Sequence, residues 1–171
     1  MNRKLNLVLM LVLGLALSAC AGKKDGGAND NAGGNAGLAT GDAGSNAWGT
    51  GYSAEELSSR FGIEGNPLNY KTVYFEYNSS VMDERSNIIA RAHARNLNGQ
   101  SVSLQGHADE RGTRDYNLAL GERRAQSVSN TMNAEGANGS LQTISYGEER
   151  PANTAHNEAA WQQNRRVEIV Y

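Results

Sequence analysis

The stretch GHADERGTRDYNLALGERR, residues 106–124, decides how the chain is read. It opens at the end of an alternating run, Ser101-Val-Ser-Leu-Gln-Gly106, which predicts a strand. It then crosses a charged loop of His107, Asp109, Glu110 and Arg111 and turns at Arg111-Gly112-Thr113. From about Asp115 to Ala134 the pattern is helical, with Leu118, Gly121, Ala125, Val128 and Met132 at steps of three and four on the expected packed face. Asp109 thus leaves a strand end, where loops of layered folds commonly carry binding groups. Asn117 and Arg124 are seven residues apart, two turns along nearly one face. A carboxylate facing a guanidinium suits a small zwitterion, since the fork of arginine holds a carboxylate bidentately. A plain ion pair between Asp109 and Arg124 explains the same residues, and composition leaves both readings open.

Outward from this stretch the elements alternate. Thr72-Val-Tyr-Phe-Glu-Tyr77 predicts a first strand, and Met82–Asn96 a helix with Met82, Ile89, Ala90, His93 and Leu97 inward. His93 there reads as a satisfied core histidine. Asn98-Gly99 predicts a turn, Gln142–Tyr146 a third strand, His156–Gln163 a short helix in which Trp161 packs, and Arg166–Tyr171 the last strand. Glu122 and Arg123 read as solvated. The order β-α-β-α-β-(α)-β predicts an α/β (α+β) two-layer sandwich, helices on one face of a four-stranded mixed sheet.

The 171-residue chain is uneven in composition. Residues 1–19 carry Arg3 and Lys4 ahead of an apolar run of ~13 residues from Leu5, too short for a bilayer span and right for a signal peptide. Leu17-Ser-Ala-Cys20 resembles a lipobox, which implies cleavage before Cys20, its lipidation, and anchoring in a membrane through acyl chains. Without Arg3 and Lys4 the chain holds 14 basic and 18 acidic residues, a net −4 that argues against nucleic acid. Residues 20–51 form the anchor and a Gly/Ala/Asn-rich tether with too little apolar surface to fold, spanning roughly 30 Å as a flexible coil. Residues 52–71 read as transitional, with the capping box Ser53-Ala-Glu-Glu opening a short helix through Arg60. Residues 72–171 read as the binding domain.

The run GHADERGTRDYNLALGERRA, with the later YGEERP and NRRVEIVY, resembles the signature of the OmpA-like C-terminal domain family, and of its lipid-anchored outer-membrane branch that works with the Tol proteins. The resemblance implies non-covalent binding of peptidoglycan through the meso-diaminopimelate of its stem peptide, with no catalysis, metal or cofactor. It places the principal ligands at Asp109 and Arg124, with Asn117 and the neighbouring Leu118. Tyr77, Asn78, Ser79 and the turn Arg111-Gly112-Thr113 complete the implied pocket. It further implies residence in the outer membrane of a Gram-negative bacterium with the domain in the periplasm, and binding to the Tol propeller protein TolB. The Arg165-Arg166 pair is structural on this reading. The chain departs from common relatives at Glu76-Tyr-Asn-Ser-Ser80 and at Thr113-Arg114-Asp115. The alternative, a metal-dependent wall hydrolase built on His107, Asp109 and Glu110, lacks any zinc motif.

Overall fold

The computed structural model describes residues 47–171; the signal, Cys20 and most of the tether lie outside the described residues. Folding begins earlier than Thr72. Ser53 caps helix α1 (Ala54–Phe61): its Oγ accepts from the Glu56 N–H at 3.2 Å, and its own N–H donates to Glu56 Oε2 at 2.9 Å. Gly62, at φ 61°, ends the helix with its N–H on the Ser58 carbonyl. The capped turn directs Leu57 and Ile63 inward, where both are fully buried. Burial of such side chains is worth about 1.5–3 kcal/mol each. Residues 52–71 therefore contribute to the core itself.

Strands β1 (Thr72–Tyr74), β2 (Asn98–His107), β3 (Asn138–Gly147) and β4 (Arg166–Val170) form one mixed sheet in the order β1-β4-β2-β3. β4 is antiparallel to both β1 and β2, while β2 and β3 run parallel. A parallel pair needs a long crossover, which helix α3 (Arg114–Ala134) supplies. Helix α2 (Glu84–Arg95) packs with α3, joining Ile88, Ile89, Ala125, Val128 and Met132 to Val102, Leu104, Val167 and Ile169 of the strands. Helix α4 (Glu158–Asn164) precedes β4. The two-layer α/β class is as expected. His93 is the satisfied core histidine expected, its ring nitrogens on the Tyr171 hydroxyl and the Tyr70 carbonyl.

Three details differ from the expected pattern. β1 stops at Tyr74, because the carbonyls of Glu76 and Ser79 turn away to bond Arg124. Asn98-Gly99 belongs to β2, with a register shift before Ser101 and Gly99 at φ 76°. Leu118 is 48% exposed: the buried stripe of α3 begins instead with Asn117, Leu120, Gly121 and Arg124. Polar side chains with internal partners have taken the inner positions, and Leu118 lies about 100° round the helix from Asn117.

Candidate functional site

The site gathers where β2 and β3 end and α3 begins. Gly106 lets the strand and helix approach closely: a Cβ there would lie 2.0 Å from the Gly121 carbonyl oxygen. The chain then bonds across, Ala108 N–H to the Gly147 carbonyl at 2.8 Å, and delivers Asp109 to the rim in a 96% buried position. Gly112, at φ 114°, reverses the chain, and Thr113 caps α3 by accepting from the Tyr116 N–H.

Between these elements lies a cavity of about 360 Å³ lined by Tyr77, Asn78, Asp109, Arg111, Gly112, Tyr116, Asn117, Leu120 and Arg124. Seven of the ten residues implied by the resemblance thus meet in it. Ser79 contributes its backbone carbonyl, which accepts from Arg124 Nε at 2.8 Å. Thr113 serves as the helix cap. Leu118 faces a separate hollow with Arg114, Tyr146 and Glu149. Tyr116 and Leu120 are additional lining residues; the Tyr116 hydroxyl bonds the Asn78 side chain.

Asp109 and Arg124 do not pair with one another. Arg124 is fully buried, and its guanidinium donates to three carbonyls: Ser79, His107 at 2.8 Å and Glu76 at 3.1 Å. A guanidinium has five N–H donors, so two remain beyond these three bonds, and Arg124 is among the residues lining the cavity. Burial lowers its pKa to about 10, with the Asp109 charge opposing that fall, so it stays a cation at neutral pH. Among the described ion pairs none involves Arg124. Asp109 is instead held by Arg111, which donates from Nη2 to Oδ2 at 2.7 Å and from Nε to Oδ1 at 3.2 Å. Arg165, 97% buried, adds Nη1 to Oδ2 at 3.3 Å and also bonds the Phe75 carbonyl. Burial pushes the Asp109 pKa up, but the bonds from Arg111 and then Arg165 outweigh it and leave the group below its usual range.

Arg111 lies against two aromatic faces, its Cζ 4.2 Å from the ring centroids of both Tyr77 and Trp161. Trp161 does more than pack: its indole N–H donates to Glu110 at 2.8 Å, and His156 binds the same carboxylate at 2.7 Å. Asn117, 99% buried, donates to Glu148, which lines neighbouring hollows and not this cavity. His107 is buried against Tyr146, and burial together with the Arg166 charge lowers its pKa to about 4. His107, Asp109 and Glu110 are therefore not brought together, and no group of three metal-ligating side chains occurs among the described residues.

With this geometry in view, comparison with known proteins is direct. A model of the OmpA family matches residues 74–165. The peptidoglycan-associated lipoprotein of Haemophilus influenzae is 37% identical over the whole of both chains. The chain belongs to the OmpA family, with the peptidoglycan-associated lipoproteins. The namesake from Pseudomonas aeruginosa is 50% identical over 101 residues, 57% of this OmpA-family chain and 60% of that protein, so this match spans about three fifths of the relative. The crystal structure of the peptidoglycan-associated lipoprotein from Burkholderia pseudomallei superposes with a TM-score of 0.58 at 37% identity, covering 61% of this chain and 92% of that one. The C-terminal domain of Helicobacter pylori MotB, at TM-score 0.52 and 22% identity over 58% of this chain and 82% of that one, shares the fold.

Proposed function

We propose that this chain binds peptidoglycan non-covalently in the cavity between Asp109 and Arg124, taking the zwitterionic end of meso-diaminopimelate from the stem peptide. The observation that carries this reading is a fully buried guanidinium with no carboxylate of its own, facing the same cavity as a buried aspartate. A ligand carboxylate supplies the missing counter-charge to Arg124, and a ligand ammonium is attracted to Asp109. The Asn117 amide and the Asn78–Tyr116 pair fix the remaining polar edge. Relatives named peptidoglycan-associated lipoproteins, one matching end to end, support wall binding.

The chain acts as a tether and not as a catalyst. Lipidated Cys20 holds it in the outer membrane with the domain in the periplasm, and the Gly/Ala/Asn-rich leash lets the domain reach the wall. Two attachments joined by a leash hold through effective concentration, so the wall contact itself can be modest in strength. The same face, in this reading, meets TolB and places the protein in the Tol system, serving envelope integrity and cell division.

Titrating ¹⁵N-labelled chain with a soluble stem peptide containing meso-diaminopimelate tests the ligand assignment. Amide shifts at Asn78, Gly112 and Asn117 are expected, with Leu141 at the far end of β3 unmoved. Shifts absent from the cavity, or centred elsewhere, contradict it.

A further inference from the structure

Asp109 has no acceptor position to spare. A carboxylate offers about four lone-pair positions. On Oδ1 the Arg111 backbone N–H (3.0 Å) and Nε (3.2 Å) donate; on Oδ2 Arg111 Nη2 (2.7 Å) and Arg165 Nη1 (3.3 Å) donate. A ligand ammonium can bond Asp109 only if one of these four donors leaves. The backbone N–H is set by the turn, and Arg165 is 97% buried with the Phe75 carbonyl and Glu158 as further partners. The guanidinium of Arg111 is different. Its side chain is 28% exposed, and its Nη1 already reaches outward to Glu158 at 3.2 Å.

We propose that Arg111 is a specificity-determining counter-ion that the ligand exchanges. The ligand's ammonium replaces the Arg111 guanidinium on Asp109, and the carboxylate on the same ligand carbon, which faces Arg124, also accepts from the released guanidinium through its remaining acceptor positions. Both charges freed by breaking one ion pair are matched again, so the exchange costs little. A bare amine breaks the same pair and leaves Arg111 to Glu158 at the solvent-exposed edge, where ion pairs contribute little. A bare carboxylate leaves Asp109 occupied and gains nothing from it. The faces of Tyr77 and Trp161 limit how far the guanidinium travels, so it stays within reach of the cavity. Arg111 thus selects an amino-acid end over an amine end.

This inference rests on the stem-peptide reading above. Two synthetic stem tripeptides, identical except for meso-diaminopimelate or lysine at the third position, are titrated calorimetrically into the full chain, into Arg111→Gln and into Arg111→Lys. Wild type is expected to prefer the diaminopimelate peptide by about tenfold or more. Arg111→Gln narrows that preference at least fivefold, chiefly by gaining affinity for the lysine peptide, and Arg111→Lys falls between. Should Arg111→Gln not fold, the lysine variant decides by the same narrowing. An unchanged preference, or equal weakening of both peptides, overturns the exchange and makes Arg111 an ordinary contact. If wild type binds neither peptide, the stem-peptide reading fails. The exchange is then judged on the lysine peptide alone: affinity gained in Arg111→Gln supports it, and none gained overturns it.

Discussion

Arg124 has two duties that a binding assay alone cannot separate. Its three carbonyl bonds shape the loop from Glu76 to Ser79, so its loss removes the cavity wall as well as a charge. Arg124→Lys, which cannot serve three diverging carbonyls from a planar fork, is expected to lower stability by about 3 kcal/mol in urea denaturation, since each buried acceptor left unpaired costs ~1–3 kcal/mol. A stability equal to wild type would show that the carbonyl bonds matter little. His107 makes an independent prediction in pH. Its folded pKa, about 4, is depressed from the roughly 6.5 of an unfolded chain. The unfolded state therefore binds the proton first, so this stabilisation is complete above roughly pH 6.5 and is lost as pH falls toward the folded value. His107→Phe, which keeps a ring against Tyr146, should flatten the fall in denaturation midpoint between pH 6.5 and 4; buried His93, also depressed chiefly by burial, leaves a remainder. Asp109 acts in a lower window: its depressed pKa gives stability above roughly pH 3.9 that is lost as pH drops through the folded value.

At the scale of elements, the close crossing of β2 and α3 positions everything at the rim. Gly106→Ala sets a Cβ 2.0 Å from the Gly121 backbone oxygen, which cannot rotate away. We expect a loss of at least about 2 kcal/mol, at the upper end for overpacking, together with weakened peptide binding, because β2 carries Asp109. A fully stable variant would place the contact wrongly. The periodicity of α3 and the alternation of β2 were legible in the sequence because apolar residues mark them. What hydropathy missed was the polar part of the buried stripe. Asn117 and Arg124 displace Leu118 from the inner face because each has partners waiting inside, and those partners are carbonyls and Glu148 from distant segments. Tyr74 ends β1 for the same reason. Arg165 lies 56 residues from Asp109, and no local pattern announces that bond. Trp161, read as packing, meets Arg111 only through the fold. Family likeness supplied residue identities at the cavity; their actual pairings came from the three-dimensional arrangement.

For the whole molecule, the two ends of α3 separate two tasks. Its 21 residues span about 30 Å. Tyr116 and Asn117 near one end line the cavity, while Glu135 at the other end pairs with Arg95, which also binds the Gly49 carbonyl. Gly49, among the first described residues, thus lies at the end of α3 away from the cavity. Cys20→Ser should move the protein out of the membrane fraction while leaving its sedimentation with purified wall unchanged; loss of both would contradict independent attachments. The central claim is that wall binding runs through Asp109. Co-sedimentation of the full chain with purified peptidoglycan sacculi, wild type against Asp109→Asn, tests it most directly, with the fold of both checked by circular dichroism. We predict that wild type pellets with the sacculi and that folded Asp109→Asn loses at least about tenfold in affinity; equal pelleting of the two would contradict the account.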